Sequence, residues 1–121
     1  MIYTWNEKMT IEEIFCELCS KYGDDFNWHM IPYTSHTFVE ELKRELAPDD
    51  AFLEDQIFSV LKCDSNDDVL YLGSYNGKES WRIYHLTYCN YKASETLKFV
   101  EFSNRIEAMN YIERQFVSEY L

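Results

Sequence analysis

A chain of 121 residues is long enough to bury one core without disulfides or a structural metal, so a single domain over residues 1–121 is expected. Apolar residues make up 46% and aromatics 17%, which excludes disorder, and no apolar run approaches the ~20 residues that a membrane helix needs. The net charge of −11 argues against nucleic acid as a partner, because affinity for phosphates comes from Lys and Arg releasing counterions.

The opening "MIYTWNEKMT" lacks the basic-then-apolar layout of a signal peptide. The expected address is therefore the cytoplasm, where Cys16, Cys19, Cys63 and Cys89 would be reduced thiols. Thr10 and Glu13 form a capping box ahead of Ile11, Ile14, Phe15, Leu18 and Tyr22, whose spacing predicts a helix over 10–22, ended by Gly23. "FNWHMIP" is extended at its end, since the residue before a proline is steered from the helical region. A second capping box, Thr37 with Glu40, predicts a helix to about Leu46 with Phe38, Val39, Leu42 and Leu46 buried. "APDDAFLED" reads as a turn-rich connection.

From Gln56 the period changes. "QIFSVLKC", "DVLYLGSY" and "SWRIYHLTY" read as strands, separated by "DSND" and by "NGKE", whose Asn76-Gly77 is the strongest short hairpin signal in the chain. "TLKFVEF" extends this antiparallel meander to a fourth strand past a loop at Asn90–Ser94. Asn104 and Glu107 then cap a helix to about Tyr120. The expected fold is α+β: three to four meander strands, two helices before them and one after.

Strand alternation decides which side chains meet. A two-residue Asn76-Gly77 loop places Asp68 opposite His85, and a four-residue loop places it opposite Thr87. In both cases Asp68, Leu70, Leu72, Trp81, Ile83, His85 and Thr87 share a face. Val69, Tyr71, Tyr75, Arg82, Tyr84, Leu86 and Tyr88 share the other, joined by Phe58 and Val60 if "DSND" is an even loop. The tyrosines suit a thinly covered face or a partner surface, against the plainer expectation of helices packed over both faces.

No motif for catalysis or a ligand is complete. Asp64, Asn66 and Asp68 imitate the start of a calcium loop, but Val69 stands where glycine is needed and Tyr75 where the bidentate glutamate should be, so a hairpin turn is expected instead. Cys16 and Cys19 have half the spacing of a zinc site but lie inside a helix. Neither a metal nor a cofactor is expected. His85, oriented by Asp67 or Asp68, is the best candidate for acid–base catalysis, with Thr87 and Ser80 as available hydroxyls but without a nucleophile elbow. His29 and His36 lack metal-like partner spacing. Glu113 falls within the apolar arc of Met109, Phe116 and Tyr120. Arg82 or Lys98 could pair with it, although a partly exposed helix end is the favoured explanation.

In "SNDDVLYL" acids precede a strand, and "YHLTY" lies on a later one. Through Asp67, Asp68, Val69, Leu70, His85, Leu86 and Thr87, the segment from Phe38 to Tyr91 resembles small acidic bacterial proteins, few of them characterised. In character the chain is similar to the immunity proteins that neutralise bacterial toxins. That resemblance implies protein binding and carries over no catalytic residue.

Charge placement points the same way. Residues 1–68 hold 16 acids and 5 bases, and residues 69–121 hold 6 of each. One-sided acidity attracts basic proteins and speeds their encounter. The expected function is binding of a basic protein partner, such as a toxin domain. Asp24, Asp25, Asp49, Asp50, Glu54, Asp55, Asp64, Asp67 and Asp68 would steer it, and Trp28, Trp81, Tyr71, Tyr75, Tyr84 and Tyr88 would anchor it. The rivals are a small hydrolase or ligand-binding enzyme centred on His85 and Asp68, and a module that self-associates through its tyrosine face.

Overall fold

The computed structural model describes residues 5–89 and 97–121 and is α+β: a five-stranded antiparallel sheet with three α-helices. Helix α1 spans Ile11–Tyr22, and its capping box is present, with Thr10 Oγ1 accepting from the Glu13 amide at 3.2 Å and Glu13 Oε1 accepting from the Thr10 amide at 2.9 Å. A 3-10 turn follows at Gly23–Asp25, then strand β1 (Trp28–Met30) and helix α2 (Thr37–Glu45). A second 3-10 turn at Ala51–Glu54 leads into β2 (Gln56–Cys63), β3 (Asp68–Tyr75), β4 (Lys78–His85), β5 (Phe99–Phe102) and helix α3 (Arg105–Tyr120). Among the described residues no helix is long and apolar enough to cross a membrane.

The strands lie in the order β1-β2-β3-β4-β5. Asn76 and Gly77 both take positive φ, 50° and 79°, which selects the two-residue hairpin that pairs Tyr75 with Lys78 and Asp68 with His85. β1 is a strand that the sequence patterning did not separate from its loop; three residues are too few for alternation to register. The fourth expected strand is β5, with Thr96 at the head of its run and the Asn90–Ser94 loop outside the described residues. Helix α2 departs from its expected cap: His36 holds the cap position without a side-chain hydrogen bond, and Thr37 is already helical.

One face of the sheet packs against α1 and α3, where Ile14, Leu18, Met109, Ile112 and Phe116 close over Leu61, Leu70, Trp81 and Ile83. The other packs against α2 and the second 3-10 turn, where Leu42, Leu46 and Phe52 cover Ile57, Val69, Tyr71, Tyr84 and Leu86. Each such buried side chain contributes roughly 1.5 to 3 kcal/mol. Both faces are therefore covered by helices. A bulge between Ser59 and Leu61 breaks the simple alternation of β2. It pairs Phe58 with Leu72 and turns Val60 toward the α1–α3 core, so neither residue joins the tyrosine face as expected.

Candidate functional site

The turn between β2 and β3 is built from short polar side chains that satisfy backbone groups. Asn66 Oδ1 accepts from the Asp68 amide at 2.8 Å, and Lys62 Nζ donates to the carbonyls of Cys63 at 2.5 Å and Asn66 at 2.6 Å. The Asp64 amide donates to the Asn27 carbonyl at 2.7 Å, which brings the Gly23–Asp25 turn beside it. The three residues that imitate a calcium loop are thus spent separately. Asp64 Oδ1 meets His29 Nδ1 at 2.5 Å, Asn66 caps the turn, and Asp68 Oδ1 meets His85 Nδ1 at 2.8 Å. Among the described residues no three His, Cys, Asp or Glu side chains converge to hold a metal.

His85 and Asp68 border an open depression of about 250 Å³, with Lys98, Phe99, Val100 and Tyr111 around it. The His85 side chain is 61% exposed and that of Asp68 31%, so the pair lies at the protein's surface. Neither available hydroxyl accompanies it. Ser80 donates to Glu101 Oε2 at 3.0 Å and stands five residues away along β4, roughly 17 Å. Strand parity would set Thr87 on the face of His85, but β4 ends at His85, and the Thr87 hydroxyl turns to Glu45 Oε1 at 2.7 Å.

Glu45 is the functional-looking carboxylate that patterning missed. It is buried in α2, accepts from the Thr87 amide at 2.8 Å and the Tyr88 amide at 3.1 Å, and so holds the chain where Tyr88 adopts a left-handed φ of 55°. Burial pushes its carboxyl up, but hydrogen bonds with Glu41, Thr87 and Tyr88 outweigh that and hold it below the usual carboxylate range. Its position was a signal: Phe38, Leu42 and Glu45 stand at i, i+4 and i+7 of one stripe. Glu113 is buried too, contrary to the exposed helix end expected. Its partners are on α1, not the sheet: Lys21 Nζ at 2.9 Å and the Tyr22 hydroxyl, donating at 2.6 Å. Arg82 instead pairs with Glu101. Both buried acids serve as structural acceptors.

The expected partner-binding residues separate into three groups. Trp28, Tyr71, Trp81 and Tyr84 are buried in the two cores and cannot anchor a partner, because inward alternation and not surface display explains their place on strands. Tyr75 and Tyr88 are exposed, at 50% and 47%. The acids fall at opposite ends of the sheet. Asp49, Asp50, Glu54 and Asp55 precede β2, whereas Asp64, Asp67 and Asp68 follow it beside Asp24 and Asp25, the length of eight residues or roughly 25 Å away. Asp50 is further committed as a cap, accepting from the Phe52 amide at 2.9 Å.

No protein-family model, curated protein or solved structure matches this chain.

Proposed function

We propose that this chain is a cytoplasmic acidic protein-binding domain that recognises a basic partner, and that it acts as an immunity protein neutralising a toxin. One observation carries the reading: two acidic turns some forty residues apart in sequence, Gly23–Asp25 and Asp64–Asp68, are drawn to one end of the sheet by the Asp64–Asn27 backbone bond. There Asp24, Asp25 and Asp64 are exposed, while the neighbouring Lys62 ammonium is turned onto backbone carbonyls. Tyr88 lies beside Asp67, close enough for that charge to help hold its phenol up after burial, and supplies an exposed ring at the same end. Five acids, Asp24, Asp25, Asp64, Asp67 and Asp68, against the one ammonium of Lys62 leave this end net negative, which steers a basic surface toward it, and an aromatic neighbour adds contact area.

The test is co-purification from the native host, identification of the partner by mass spectrometry, and kinetics of the purified pair. Raising salt from about 50 to about 500 mM should slow association by roughly tenfold or more, and Asp64→Asn with Asp67→Asn should flatten that dependence. Binding indifferent to salt would sink the steering. Expression of the partner alone should arrest growth and co-expression of this chain restore it. A harmless partner removes the immunity role.

A second reading, a small hydrolase or ligand-binding enzyme, is favoured by the Asp68–His85 contact over the neighbouring depression. It predicts that His85→Ala abolishes turnover or ligand binding while leaving the melting temperature unchanged. An unaltered partner affinity and no lost activity in that variant would dispose of it. Self-association through the tyrosine face has lost its central residues to α2 and Phe52, leaving Tyr75 and Tyr88.

A further inference from the structure

At the hairpin end of the sheet, away from the acidic turns, α2 does not reach, and an open cleft of about 350 Å³ remains on the tyrosine face. Its floor is set. The Arg82 guanidinium is sandwiched between the rings of Phe52 and Phe99, 4.3 and 4.1 Å from their centroids, donates from Nε to Glu101 Oε2 at 2.9 Å, and donates from Nη1 to the Tyr84 hydroxyl at 2.8 Å. Gly73 lies beneath: a Cβ there would run into the Phe52 ring and stand 2.5 Å from Asp55 Oδ2. The absence of a side chain is what lets the Asp55 carboxylate settle against the strand and line the cleft.

Asp55 and Asp67 differ from the other half-buried and buried acids among the described residues. Glu45, Glu113 and Asp68 each have a hydrogen-bonding partner, whereas the Asp55 carboxylate has none among the described residues. Burial pushes its carboxyl up, and Glu54 and Glu101 add to that against the opposing pull of Arg82. In this open cleft water solvates the Asp55 carboxylate, and a fixed donor from a partner would take that water's place. Glu101 and Arg82 are paired with each other, which leaves two acids of the cleft, Asp55 and Glu79, against Lys78 alone. An anion is disfavoured there. A cation is not, and the half-exposed Tyr75 ring at the wall offers it a face.

We propose that this cleft receives one arginine side chain of a protein segment, its guanidinium paired with Asp55 and its plane against Tyr75. Arginine fits better than lysine because its planar fork matches a carboxylate and stacks on an aromatic ring. A peptide-borne arginine fits better than the free amino acid, whose own carboxylate would meet Glu79 and Glu101. This second contact deepens the protein-binding reading but stands on different residues from the acidic end.

The experiment titrates the ¹⁵N-labelled full chain with N-acetyl-arginine N-methylamide, with the uncharged citrulline analogue as control. Saturable shifts at the Gly73, Ser80 and Arg82 amides are expected for the arginine probe and not for citrulline. Asp55→Asn should weaken binding by about tenfold or more, and Tyr75→Ala by about three- to tenfold. No saturation, equal shifts from citrulline, an undiminished affinity in Asp55→Asn, tighter binding of free L-arginine, or shifts at these amides from sulfate would each overturn the proposal. Asp55→Asn should also melt no lower than the parent, which keeps loss of binding separate from loss of fold. Because the probe involves no partner, failure here removes the cleft assignment alone, and failure of the salt experiment removes the acidic-end reading alone.

Discussion

Glu45 and Asp55 are both carboxylates set against the tyrosine face, and the donors present at Glu45 and absent at Asp55 give them opposite effects on stability. Glu45→Ala leaves the amides of Thr87 and Tyr88 without their acceptor and should destabilise by on the order of 2 kcal/mol in urea melts. The folded carboxyl lies below its ordinary value of 4.5, so its stabilisation is complete above that pH and is lost as pH falls through the folded value. Glu45→Gln should therefore flatten the acid limb of the stability profile. An unchanged profile would mean that Glu45 is not the group titrating there. Asp55 has the opposite sign. Its folded carboxyl is raised, so ionisation opposes folding above the unfolded value, and the penalty fades as pH falls. At this scale sequence reading did best where geometry was local. Strand parity put Asp68 and His85 on one face, and of the two loop lengths left open the two-residue Asn-Gly turn is the one that sets them opposite each other. The same reading noticed Glu113 in an apolar arc but could not know that α1, ninety residues earlier, would supply Lys21 and Tyr22.

Elements were legible where a side chain speaks to its own backbone. The Thr10–Glu13 and Asn104 caps and the Asn76-Gly77 turn are of that kind, and all three form. The bulge in β2 had no such signal: Ser59, Val60 and Leu61 all suit a strand, and only the competing demands of two cores decide which one is extra. Gly73 was likewise silent, being one strand residue among eight. Its role predicts that Gly73→Ala destabilises by about 2 kcal/mol, as overpacking does, and displaces Phe52. Retained stability together with unshifted Phe52 ring resonances would contradict the close approach. Gly77→Ala should also weaken the fold, for a different reason, since φ of 79° strains any residue with a side chain.

Across the whole molecule, nine of the sixteen acids of residues 1–68 are divided between the two ends of β2, while most of the others lie on α1 and α2. Sequence counting saw the excess but not its division, since strand length turns a list of acids into a distance. The Lys21–Glu113 and Tyr22–Glu113 contacts have a consequence for the order of assembly. The meander closes through short turns, whereas these bonds join residues 92 and 91 positions apart, a loop-closure cost that few local contacts repay early. The β2–β4 hairpins should form in the folding transition state and the α1–α3 seam after it. Glu113→Ala should then accelerate unfolding with little change in folding rate, while Gly77→Ala slows folding, as stopped-flow chevrons would show. A Glu113 variant that slowed folding by its full loss of stability would reverse this order. On that order the clasp between the two helices is expected to close after the meander and to let go before it.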